Sequence, residues 1–95
     1  MKFEWDPSKN IENFNKHNIY FDEAESVFED NKAVEIYDEK HSEDEDRFII
    51  IGMSSKVREL MVCHCYRNGG NIIRIISARK ATKQEQVWYE RGTIV

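Results

Sequence analysis

A chain of 95 residues, 40% of them hydrophobic, supports one core and leaves no room for a second, so a single domain over 1–95 is expected. No apolar stretch is long enough to cross a bilayer, and MKFEWDPSKN lacks the apolar middle of a signal peptide, which points to a cytoplasmic protein. The net charge of -4 argues against general nucleic-acid binding but hides an asymmetry: residues 1–46 hold 5 Lys/Arg against 15 Asp/Glu, and residues 47–95 hold 9 against 3.

In chain order, Asp6 followed by Pro7 opens a helix as N-cap and first helical residue, with Ile11 and Phe14 one turn apart on its apolar stripe. Asn18, tolerant of the left-handed conformation, is its expected stop. Asp22 and Glu25 have the spacing of a capping box for a short second helix that buries Ala24, Val27 and Phe28. AVEIYD at 33–38 alternates like a strand with one wetter face, and DEKHSEDED at 38–46 reads as a solvated, mobile loop. RFIIIGM, ELMVCHCY and NIIRIISA then give three strands joined by SSKVR and NGG, an antiparallel meander whose last strand is apolar on both faces and therefore central. Thr82, Glu85 and Gly92 supply the cap, box and stop of a final helix with Val87 and Trp88 as its apolar contacts. The order is β-α-α-β-β-β-β-α, an α+β domain with helices packed on a small antiparallel sheet.

The chemistry concentrates in RIISARKATKQE at 74–85, where Arg74 lies inside an apolar strand and Arg79, Lys80 and Lys83 follow. A guanidinium among apolar neighbours needs an anion, either an internal carboxylate or a phosphate; the clustering of cations favours the phosphate. The length of the Asn68-Gly69-Gly70 turn decides what opposes Arg74. A three-residue loop brings His64, and a two- or four-residue loop brings Cys63 or Cys65. His64 beside Arg74 would suit proton transfer next to a phosphate, whereas a lone His in an apolar strand is commonly a core residue. His17, beside Lys16, could carry the proton instead or simply serve as a cation at a helix C-terminus; His41 is read as solvated. Cys63 and Cys65 read as buried thiols of a reducing compartment, with His64 on the opposite face, a poor arrangement for a metal. No glycine-rich phosphate loop or calcium loop is present, and neither a metal nor another cofactor is expected.

FEWDPSKNIENFNKHNIYFDEAESVF at 3–28, RFIIIG at 47–52 and RIISARKATKQE at 74–85 together resemble the BrnT family of toxins from type II toxin–antitoxin modules. The matching positions are Trp5, Asp6, Pro7, Lys9, Asn13, Lys16, His17, Arg47, Arg74, Ser77, Arg79, Thr82, Glu85 and Tyr89. Two departures are Asn18, where the family usually has Gly, and the sequence QEQVWYE, less basic than is common there. The resemblance implies a RelE-like fold and a ribonuclease that halts translation, neutralised by a cognate DNA-binding antitoxin in a hetero-oligomer. On that basis a metal-independent endoribonuclease is expected. Arg74 and Arg79 would stabilise charge, His64 or His17 move protons, and Tyr89 stack on a base or act as acid. Lys16, Arg58, Arg67, Lys80 and Lys83 would hold the RNA backbone. The antitoxin would present an acidic segment to Arg58, Arg74, Arg79 and Lys80 and anchor on Trp88 and Tyr89; the alternative is a basic antitoxin meeting the acidic first half. The competing reading is a non-catalytic RNA- or protein-binding module, favoured if Arg74 has an internal carboxylate partner.

Overall fold

Local capping chemistry sets the helix boundaries in the computed structural model, which describes residues 1–93. Helix α1 spans Pro7–His17: the Asp6 side chain accepts a hydrogen bond from the Ser8 N–H, and Asn18 closes the helix at φ 62°. Helix α3, Lys83–Arg91, carries both halves of the Thr82–Glu85 capping box and ends on Gly92 at φ 75°. Helix α2, Phe21–Ser26, starts differently from the expected Asp22 box. Its N-cap is Tyr20, without a side-chain cap bond, and the Phe21 N–H instead donates to Asn10 Oδ1 of α1 at 2.7 Å. The neighbouring helix thus replaces the local cap.

Five strands form one sheet: β1 (Lys2–Glu4), β2 (Val34–Tyr37), β3 (Phe48–Met53), β4 (Glu59–Arg67) and β5 (Ile72–Lys80). Their spatial order is β1-β5-β4-β3-β2, so β4 takes the middle and β5 is internal but not central. The meander is antiparallel throughout, while β1 returns parallel to the start of β5. Loop 38–46 is less open than expected, because a short 3-10 turn at Glu39–His41 is tied down by Ser42, whose hydroxyl donates to the Asp38 carbonyl and accepts from the Arg47 N–H.

The core lies between one sheet face and the first two helices: Ile19, Phe21, Ala24 and Val27 pack with Ile50, Leu60, Val62, Ile75 and Ala78. Phe28 packs against it only partly buried. Close packing explains Gly52, where a Cβ would stand 2.9 Å from the Ala33 Cβ and 3.0 Å from Val27 Cγ1. Cys63 and Cys65 are buried free thiols, and burial pushes both up in pKa. Ile11 is 52% exposed and Val87 36% exposed, so neither carries its helix onto the sheet. The buried positions are polar, Asn13 in α1 and Glu85 in α3.

Two features of β5 position everything that follows. The turn is four residues long, Arg67 facing Ile72, which sets Cys65 opposite Arg74. Between Cys63 and His64 the register shifts: Cys63 faces Ser77 and His64 faces Ile75, leaving Ile76 as an extra residue. Beyond the last β1 partner, Arg74, the edge of β5 is taken over by Asn13. Its side-chain amide donates to the Ala78 carbonyl at 2.9 Å and accepts from the Ala78 N–H at 3.1 Å, pairing as a strand would, and also donates to the Ile19 carbonyl.

Candidate active site

The structure divides the expected cations into those already matched by a carboxylate and those left open. Arg74 donates to Glu4 Oε2 at 2.9 Å across the parallel β1–β5 pair, so its anion is internal. Arg67 bonds Glu45 at 3.0 Å and approaches Glu4 at 3.7 Å; with Arg47 near Glu45 these residues form an ion-pair chain over one sheet face. Arg58 pairs with Glu23 and also donates to the Asn18 carbonyl. Glu23 is 4% exposed: burial pushes its carboxyl up, but Arg58 and Ser54 together hold it below the usual range. Arg58 and Arg67, expected to hold the RNA backbone, and Arg74, expected to stabilise charge, thus each meet a carboxylate of the chain itself.

Arg79 is also paired, yet stays at the surface. Its Nη1 and Nη2 donate to the two Glu85 oxygens at 2.8 and 3.0 Å. Glu85 accepts the Thr82 N–H as well, so the helix cap and the guanidinium share one carboxylate. Burial raises the Glu85 carboxyl, and Arg79 and Thr82 together more than reverse this; the bond to Glu85 in turn pushes Arg79 further up.

His64 does not meet Arg74. It is fully buried on the core face, with Nδ1 3.1 Å from the Val62 carbonyl and Nε2 2.8 Å from Glu35, so neither nitrogen is left to exchange protons with a bound phosphate. The four-residue turn is the cause, since it turns His64 and Arg74 to opposite faces. Tyr89 likewise lies elsewhere. Its hydroxyl donates to Asp30 at 2.6 Å, a bond that with burial pushes it up to about 12, and Asp30 also accepts the Met53 N–H. Trp88 is half-buried beside it on α3.

The remaining residues gather where the last turn of α1 meets the end of β5. An open groove of about 650 Å³ is lined by Lys16, His17, Arg79 and Lys80. A smaller adjoining hollow of about 160 Å³ shares Lys16 and His17 and adds Lys9, Glu12 and Ser77. Lys80 and Lys83 are exposed, and among the described residues Lys9, Lys16 and Lys80 make no ion pair. The surface thus combines several ammonium groups without an ion pair, one histidine and the oriented fork of Arg79, with Glu12 the one carboxylate lining it among the described residues. A hollow of about 290 Å³ at the acidic loop has the opposite character, with Glu43, Asp44 and Glu45 in its wall. Among the described residues, no group of three or more His, Cys, Asp or Glu is placed to hold a metal, and no helix is long and apolar enough to cross a membrane.

Asn13 and Lys9 were matched in the sequence without an assigned part. Asn13 had a readable signal, a short polar side chain in the interior of a helix that it disfavours by propensity. Lys9 had none, because its place in the hollow depends on α1 docking against the bulge.

A search of curated proteins returns no match. The crystal structure of the Brucella abortus ribonuclease toxin BrnT superposes with a TM-score of 0.65 at 25% identity, covering 87% of this chain and 99% of that one. Residues 5–85 match the family described as ribonuclease toxin, BrnT, of type II toxin–antitoxin system. That match spans α1, the whole meander and both sides of the cationic groove, and the chain belongs to the BrnT family of ribonuclease toxins.

Proposed function

We propose that the groove between α1 and the end of β5 binds RNA and cuts it internally without a metal. A ribose 2′-OH attacks the adjacent phosphorus, forming the 2′-O–P bond as the P–O5′ bond breaks. His17 takes the 2′ proton and the departing 5′ oxygen takes one from solvent, to which His17 then returns its own, leaving a 2′,3′-cyclic phosphate and a free 5′-OH. Arg79, held by Glu85, and Lys16 and Lys80 face the charge that builds on the phosphorane. Lys9 and Lys83 hold flanking phosphates, and Arg58, Arg67 and Arg74 contribute by rigidifying the scaffold. The whole chain works as one cytoplasmic toxin domain. It is neutralised in a hetero-oligomer by a DNA-binding antitoxin.

One observation carries this reading: Lys9, Lys16 and His17, the family-matching basic residues that make no ion pair among the described residues, line one continuous surface with Arg79 and Lys80. The pairing of Arg74 with Glu4 favours a non-catalytic module, but the groove does not include Arg74 and has its own histidine, His17. Purified His17→Ala should lose cleavage of single-stranded RNA by about a hundredfold or more while keeping its melting temperature, and Lys16→Ala should weaken RNA binding most at low salt. Folded His17→Ala that cleaves at the wild-type rate would remove the groove from the reaction.

A further inference from the structure

On the core side of the sheet, the margin beyond the helices carries aromatic rings and carboxylates. Register places Glu35 opposite Ile50, Tyr37 opposite Phe48 and Phe48 opposite His64, with Tyr66 two residues along on the same face. Tyr37 meets Phe48 edge-on at 5.5 Å, and Phe48 meets Tyr66 edge-on at 5.3 Å. Tyr37 is 47% exposed, its hydroxyl donating to Asp46 at 3.1 Å. Glu35 is fixed among these rings because its Oε2 takes hydrogen bonds from both His64 and Tyr66. Among the described residues no hydrogen bond reaches Glu35 Oε1, and apart from the His64 imidazole on Glu35 Oε2 no basic side chain pairs with Glu35 or Asp46.

Ring faces and an oriented carboxylate attract an ammonium or guanidinium group and repel phosphate. Of the four cations expected to meet an acidic antitoxin segment, Arg58, Arg74 and Arg79 are already paired with Glu23, Glu4 and Glu85. The strand carrying Glu35 and Tyr37 is also an edge of the sheet, so its outer backbone is open to a chain running alongside. We propose that Tyr37, Phe48, Tyr66 and Glu35 form a docking surface for a basic segment of the antitoxin, with an Arg or Lys side chain seated over the rings against Glu35 Oε1. This inference rests on the toxin–antitoxin reading and replaces an acidic segment on the cationic face as the main contact.

Titration with a short peptide of alternating Arg and Ala tests it, with the Glu-for-Arg peptide as control. The Arg peptide binds. Tyr37→Ala and Glu35→Gln each weaken it about fivefold or more, whereas the loop variants Glu43→Gln and Asp44→Asn weaken it less than about twofold. Tyr37→Ala keeps wild-type RNA cleavage, and amides of residues 34–37 exchange more slowly in the toxin–antitoxin complex than in the free toxin. Loop variants that weaken the peptide as much as Tyr37→Ala would reduce the effect to general attraction and overturn the proposal. So would loss of RNA binding in Tyr37→Ala, which would make RNA the occupant, or unchanged exchange in the complex. Failure of the groove assignment appears separately, as cleavage that survives His17→Ala while the peptide results stand.

Discussion

Replacing Arg79 with alanine should do two separable things. The substitution deletes two charge-assisted hydrogen bonds and leaves Glu85, 7% exposed, with only the Thr82 N–H to offset its burial. Breaking a fully buried pair costs about 3–5 kcal/mol. With the Arg79 side chain 35% exposed to water, about 2 kcal/mol is the fitting figure after allowing for solvent screening. For a domain of this size that lowers the melting temperature by about 10 °C. Cleavage per folded molecule should fall by about a hundredfold or more, as when one transition-state donor is removed. Adding Glu85→Gln to Arg79→Ala separates the effects, because glutamine keeps the capping box but carries no charge to strand. Thermal unfolding should recover most of the loss, and RNA cleavage should recover none. The acid limb gives the sign. Since the Glu85 carboxyl is held below its usual value, the pair contributes fully above the unfolded carboxyl pKa and loses its contribution as pH falls through the lower folded one. The difference between wild type and Arg79→Ala should therefore shrink on acidification. A double variant as unstable as the single one would refute the orphaned carboxylate as the cause. Full activity in folded Arg79→Ala would refute the role in charge stabilisation.

Asn13→Ala should destabilise the fold by about 2–4 kcal/mol in urea titration, since the Ala78 N–H and C=O lose their partner in a buried setting; a loss below about 1 kcal/mol would mean that water or a shifted α1 replaces the amide. Tyr89→Phe removes the bond to Asp30 and should lower stability by about 1 kcal/mol with cleavage unchanged. A large drop in turnover by that variant would bring Tyr89 back into the reaction.

The sequence made the helix ends legible because caps are written within four residues: Asp6 with Pro7, Asn18, and Thr82 with Glu85 and Gly92 each act on their own turn. The strands were legible from their β-branched runs and the β3–β4–β5 neighbours from short connections, whereas the central place of β4 and the parallel return of β1 beside β5 were not. The partners of the arginines were not readable. Arg74 and Glu4 lie 70 residues apart and are joined by the β1–β5 pairing, while Arg58 and Glu23 lie 35 apart and are joined by α2 meeting the β3–β4 turn. The same holds for the start of α2, capped from α1, and for Ile11, which proximity alone placed on the buried stripe. His17 and Lys16 were found in sequence as candidates, but their meeting with Arg79 depends on Asn13 docking one helix against one strand edge.

The extra residue at Ile76 changes how the strand must be compared between relatives. Arg74 and Arg79 are five positions apart, a separation that sends side chains to opposite faces of a regular strand, yet Cys65 and Met61, their partners four apart on β4, hold both on the same face. Ile75 and Ala78, three apart, share the core face for the same reason. A relative without the bulge must place its equivalent cation at an even distance from the strand's first arginine, and an ungapped comparison would then set that cation against a core alanine. Aligning this strand correctly requires a one-residue gap opposite Ile76, and a natural deletion there would leave a regular strand with groove and core residues still on their own faces.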